Sequence, residues 1–309
     1  MIFFNISCPD HPMILNGVKN ANPGWKIALL ASICVLLLSG CMQLALKLSP
    51  SLFPNVVSSI FEECDPELAE RSIPANLKLL EGLLKNDPHN RRILNALAVG
   101  FSGYSMFFVE EENPQRASDL YVRAKSYGIR ALGDRGEVLK DPGVRIESLQ
   151  NALKKMGPNE LEALFWTTMA WNAWINLNLD KPSALAQLNL TQACLEKLID
   201  IDAGYFHGLP YILMGVSLAA RPKMFGGDLK LAKEYFEKAS VLSNRKFFLL
   251  QYYYARYYAV GVQDKALFSR LLEEVIDGNP QQLTGVCLIN RVIQLKSREL
   301  KKSADELFF

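Results

Sequence analysis

From Ser72 onward, apolar residues recur three and four positions apart in segments of about fifteen to twenty residues, separated by breaks carrying Pro, Gly, Asn or Asp. That period belongs to helices with one buried face. Asn113-Pro114, Gly157-Pro158 and Lys181-Pro182 each place a proline where a first helical turn has a spare amide. Asp228, after Gly226-Gly227, is placed to cap the helix running through Lys238. No stretch alternates with period two between turn dipeptides of the Asn-Gly kind, so the chain is expected to be all-α. Residues 42–71, with Ser49-Pro50-Ser51 and Phe53-Pro54, read as a tether into a helical domain spanning 72–309.

The helices also echo one another. Asn76, Leu80 and Leu83 stand at i, i+4 and i+7 before Asn86-Asp87-Pro88, and Leu94, Leu97, Ala98 and Phe101 follow. The second-helix triplet returns as Ala117, Tyr121, Ala124, as Thr191, Leu195, Leu198, as Ala232, Phe236, Ala239, and as Phe268, Leu272, Val275. Small residues let helix backbones approach and a large one fills the gap beside them. Any one triplet is ordinary amphipathic helix; five in series resemble the tetratricopeptide pattern, with uneven spacing and an unmatched insertion over 133–157. The expected architecture is an irregular solenoid of cryptic tetratricopeptide-like helix pairs.

At the N-terminus the run Ile27–Leu38, preceded by Lys19 and Lys26, has the make-up of a secretory signal. Its end, Leu38-Ser39-Gly40-Cys41, resembles the bacterial lipobox, which implies cleavage before Cys41 and lipidation of its thiol. The uncharged run continues through Leu46, long enough for a signal anchor, but Ser39, Gly40 and Gln43 weaken a spanning helix. Asp10 and two prolines ahead of Met13 are an odd opening for a signal peptide, which leaves Met13 as an alternative start. Met42 after the lipidated cysteine favours the outer over the inner membrane.

Charge then narrows the function. The chain carries 34 basic and 32 acidic side chains; without Lys19, Lys26 and Asp10 the mature form keeps 32 and 31. So balanced a surface makes no broad field for nucleic acid. Three histidines (His11, His89, His207) and scattered cysteines offer no metal spacing, and no cofactor is called for. Beyond Cys41, Cys64, Cys194 and Cys287 are odd in number and far apart, which argues against a disulfide framework and for buried single thiols, with one pair left open.

Candidate chemistry lies in two aromatic segments. With Trp166 and Ala170 at packed positions, Trp171 and Trp174 point toward the concave groove, beside Leu164 and Thr167. Indoles there would bind an apolar ligand or a partner, against the plainer reading of inter-helix core. Tyr252 and Arg256 hold the corresponding places in the helix from Phe247 to Gly261, where an arginine among tyrosines suits a ligand carboxylate or simply stacks. Pro222, Gly226, Gly227 and Asp228 read as turn and cap. His207 reads as a capping or packing residue, and Ser243-x-x-Lys246 has serine–lysine nucleophile spacing by chance, Ser243-Asn244 instead opening the next helix.

An ordered series completes the picture: Gly208-Leu209-Pro210-Tyr211, Arg221-Pro222, Phe225-Gly226-Gly227-Asp228-Leu229, the helix Ala232–Ala239, Phe247–Leu250, Tyr254–Val260, Gln263-Asp264 and Ala304–Phe308. It resembles the tetratricopeptide-containing T component, TatT, of tripartite ATP-independent periplasmic (TRAP) transporters, over about residues 65–309. The resemblance implies a periplasmic, membrane-tethered, non-enzymatic protein that binds the transporter's solute-binding protein and passes an apolar ligand. The studied member is a trimer with a central channel, so a homotrimer is implied as well. The rival reading is a generic scaffold lipoprotein that gathers envelope enzymes.

Overall fold

The computed structural model describes residues 52–308, and the expected lipidation at Cys41 and the signal sequence lie outside them. Fourteen α-helices, and no strand among the described residues, follow one another: α1 (Leu52–Glu62), α2 (Pro66–Leu84), α3 (Arg91–Tyr104), α4 (Pro114–Ala131), α5 (Ile146–Leu153), α6 (Leu161–Asn176), α7 (Pro182–Leu185), α8 (Leu188–Asp202), α9 (Tyr205–Ala219), α10 (Leu229–Ser243), α11 (Phe248–Tyr253), α12 (Lys265–Asp277), α13 (Cys287–Lys302) and α14 (Ala304–Leu307). The chain is all-α, as its periodicity predicts. Two helices run on as π-helical turns, Ser105–Val109 after α3 and Tyr254–Ala259 after α11.

Local chemistry sets the starts. Asp65, Asn90, Asn113, Asp228 and Asp264 each accept a hydrogen bond from an amide of the first turn that follows, with Pro66 and Pro114 just inside. Asp228 is the cap the sequence suggests: its Oδ1 takes the Leu231 amide at 2.9 Å. Ahead of it, Gly226 sits at φ 84°, and a Cβ on Gly227 would stand 2.0 Å from the Arg221 carbonyl oxygen. Both glycines therefore serve the turn.

The core follows the triplets. Ala117, Tyr121 and Ala124, Thr191, Leu195 and Leu198, Ala232, Phe236 and Ala239, and Phe268, Leu272 and Val275 are all fully buried. The first triplet is out of register. In α2 the buried stripe is Ile73, Leu77, Leu80 and Leu84, leaving Asn76 and Leu83 half-buried. Successive helices pack as neighbours, α2 on α3, α3 on α4, α4 on α6, α6 on α8, and α9 on α10. α6 is buried on nearly every side, because Thr167, Thr168 and Asn172 spend their polar atoms on carbonyls one turn earlier in their own helix. Among the described residues, Arg91–Val109 is long and apolar enough to cross a membrane, yet most of it is buried inside this fold.

Three expectations need correction. Residues 52–71 are not tether: α1 and the start of α2 are helical, and Phe53 and Phe61 are buried. Pro54 stands in the first turn of α1, where its missing amide costs no bond, so the proline marked a helix start. Ser243-Asn244 closes α10 instead of opening a helix, with Asn244 as a left-handed C-cap at φ 47°. Cys64 and Cys287 form a disulfide, their Cα atoms 5.2 Å apart across 223 residues of sequence. The first and last parts of the described residues meet, since α1 and α2 both pack on α13. Cys194 alone keeps the buried single thiol expected of it, its pKa pushed up to about 12 by burial.

Candidate functional site

Trp171 is core. It is 0 % exposed, its indole N–H donates to Gln187 Oε1 at 2.7 Å, and Lys125 Nζ stands 3.7 Å from the ring centroid. The expectation that it lines a groove fails because α6 is enclosed by α3, α4, α8 and α9 and has no concave face to offer. Leu164 and Thr167 are fully buried with it, while Trp174 is half-buried. His207 packs, its ring centroid 5.6 Å from that of Phe247. Ser243 Oγ donates to the Ala239 carbonyl while Lys246 is exposed, an arrangement without a nucleophile pair.

Tyr252 and Arg256 do come together. Tyr252 is 2 % exposed, and Arg256 Nη1 donates to its hydroxyl at 2.8 Å. The π-helical turn widens the helix there, so that Arg256 and Tyr257 face a cavity of about 430 Å³ closed on its far side by α13. Neither Trp171 nor Trp174 lines it. Sequence patterning missed two of its groups. Lys296 from α13 and Glu111, just beyond the other π-helical turn, complete the site, with Glu111 Oε1 3.0 Å from Lys296 Nζ and 3.5 Å from Arg256 Nη1. Two cations thus share one half-exposed carboxylate. Burial weighs against the guanidinium charge, but the surrounding Tyr252 and Tyr257 raise the Arg256 pKa above its ordinary value. Behind Tyr257 lies a second, water-sized space lined by Glu110, Tyr121 and Asn172. There the Tyr121 hydroxyl donates to Glu110, whose pKa burial raises.

A separate cleft of about 270 Å³ opens between α1, α3, α6 and α9. Its apolar bed is a ring cluster: Phe61, Trp166 and Phe206 lie with centroids 5.4–6.4 Å apart. Phe206 reaches it through a left-handed backbone run, Phe206 (φ 46°), His207 (φ 62°) and Gly208 (φ 81°). Two of those three residues carry a side chain, so the conformation costs energy that the packing must offset. No periodicity signals such a run, which leaves Phe206 outside sequence reasoning.

The family model described as the TRAP transporter T-component (TAtT) matches residues 62–308. An uncharacterized protein of Treponema pallidum (strain Nichols) is 23% identical over 287 residues, covering 86% of each chain. The matched span takes in the Tyr252–Arg256 pocket and the Gly226-Gly227-Asp228 turn, and of α1 only Glu62. The chain belongs to the TRAP transporter T-component family, and is thereby an accessory component of that class of transporter.

Proposed function

We propose that the chain is a lipoprotein held at the membrane by Cys41, facing the periplasm, that binds the solute-binding protein of a TRAP-type transporter and holds an apolar acid in transit. The family match over 62–308 carries this reading. The cavity at Tyr252, Arg256, Tyr257 and Lys296 supports the second half of it. A ligand carboxylate would displace Glu111 from its two cations, taking charge-assisted hydrogen bonds in a partly desolvated setting, while Leu300 and Leu307 meet an apolar body. The outer membrane and a homotrimer are the location and assembly that go with it.

The test is affinity capture with the lipidated chain from detergent-solubilised envelope, with mass spectrometry of proteins and of extracted small molecules. Recovery of a TRAP solute-binding protein, together with an organic acid that Arg256→Gln no longer retains, is the expected result. Recovery only of peptidases or wall synthases would overturn the transport reading in favour of a scaffold for envelope enzymes.

A further inference from the structure

We infer that the cleft under α1 is a binding site for a small apolar zwitterion of the α-amino acid kind, separate from the Tyr252–Arg256 pocket. The bed comes first. Phe61, Trp166 and Phe206 line the cleft, and its volume of about 270 Å³ has room for a single aromatic or branched aliphatic body. The left-handed run at Phe206-His207-Gly208 sets the Phe206 ring beside Phe61 and Trp166.

The rim decides the head group. Glu162, in the first turn of α6, and Arg92, in the first turn of α3, both line the cleft and are both exposed. They do not pair with each other, and Arg92 makes no ion pair among the described residues. An anion and a cation thus border one opening, too far apart for a salt bridge. Between them stands Asn95, one turn after Arg92 in α3 and 7 % exposed. Its Nδ2 donates to Glu162 Oε2 at 2.6 Å, fixing that carboxylate, and its Oδ1 has no hydrogen-bond partner. A buried acceptor left unpaired is costly, and a donor from a bound molecule would recover that cost. One head group satisfies the set: an ammonium toward Glu162 and Asn95, with a carboxylate toward Arg92. A lone ammonium would meet Arg92, and a lone carboxylate would meet Glu162. Each arrangement leaves one like charge at the rim unanswered.

Equilibrium dialysis of the full chain in detergent, against a detergent-only control, tests this with three probes that share one body: L-phenylalanine, phenethylamine and 3-phenylpropionate. Phenylalanine should bind about fivefold tighter than either singly charged analogue, the size of one partly solvated charge contact. Glu162→Gln should erase its advantage over phenylpropionate alone, and Arg92→Gln its advantage over phenethylamine alone; both side chains are exposed, so neither change removes core. Equal binding of the three probes, tighter binding of a singly charged one, or no binding at all would overturn the assignment, even with the unaltered chain only. Capture of a solute-binding protein is a separate readout, so loss of the transport reading and loss of this site would not be confused.

Discussion

Lys125 carries an amine whose chemistry burial changes. On α4 it stands over the Trp171 ring with its amine pKa lowered to about 8 by burial. Folding here disfavours the protonated form, so between about 8 and the ordinary 10.5 the unfolded chain binds more protons than the folded one. Stability should therefore rise with pH across that window, by about 2 kcal/mol from this group, and be flat in it below pH 7. Urea unfolding at pH 7 and pH 10 checks this when set against Lys125→Met, which keeps the stem and drops the charge: the unaltered chain should gain on the variant as pH rises. If the two respond alike, the amine is better solvated than its surroundings indicate. The same neighbourhood shows why site residues were only half legible. Periodicity placed Trp171 on a helix face but could not tell which face meets another helix, because α6 is apolar on all sides. Arg256 was legible as an arginine among tyrosines, whereas Lys296 and Glu111 reach it from segments 40 and 145 residues away in sequence.

Helices were the scale at which the sequence spoke most clearly. Four of five second-helix triplets fall on the fully buried stripe, since a helix packed on both neighbours must repeat small and large residues at fixed offsets. The exception is α2, which packs against α3 and α13 and buries Ile73, Leu77, Leu80 and Leu84 in place of the Asn76 register. The π-helical turns were illegible, because each breaks a period without a glycine or proline, whereas the left-handed run at Phe206 left only Gly208 at its end and Pro210 just beyond as signals. Close approach has a testable counterpart at the crossing of α4 and α6. A Cβ on Gly128 would lie 2.1 Å from Thr167 Oγ1 and 3.2 Å from the Thr167 Cα, so the two backbones meet where only hydrogen fits. Thr167 cannot swing aside cheaply, since its hydroxyl is bound to the Ala163 carbonyl at 2.6 Å. Gly128→Ala should cost about 2 kcal/mol or more despite alanine's better helix propensity, read as a lowered Tm by circular dichroism. Gly128→Ala with Thr167→Ala should recover most of the loss, and a double variant no better than the single would place the strain elsewhere.

At the largest scale, the described residues 52–308 close on themselves, and the closure is what sequence reading missed most plainly. Cys64 and Cys287 are separated by almost the entire described chain, and no local pattern pairs them; only the arrival of α1 and α2 against α13 brings them together. That closure bears on function as well as stability, because α1 forms one wall of the aromatic cleft and α13, on which it packs, carries Lys296 of the other pocket. A cross-link over so long a loop restricts the unfolded chain strongly, up to about 5 kcal/mol in the chain-entropy picture, though such bonds commonly deliver about 2–4. Thermal unfolding with and without dithiothreitol should show a drop in Tm for the unaltered chain and none for Cys64→Ser. Cys287→Ser should match Cys64→Ser, and the double variant should match either single one, because all three remove the same bond. If instead reduction leaves Tm unchanged, helix packing between the two ends must already fix their positions before the bond forms. Repeating phenylalanine dialysis on the reduced chain then separates stability from site geometry: an intact fold with weakened binding would mean that the bond holds α1 over its cleft, and unchanged binding would mean that packing alone does so.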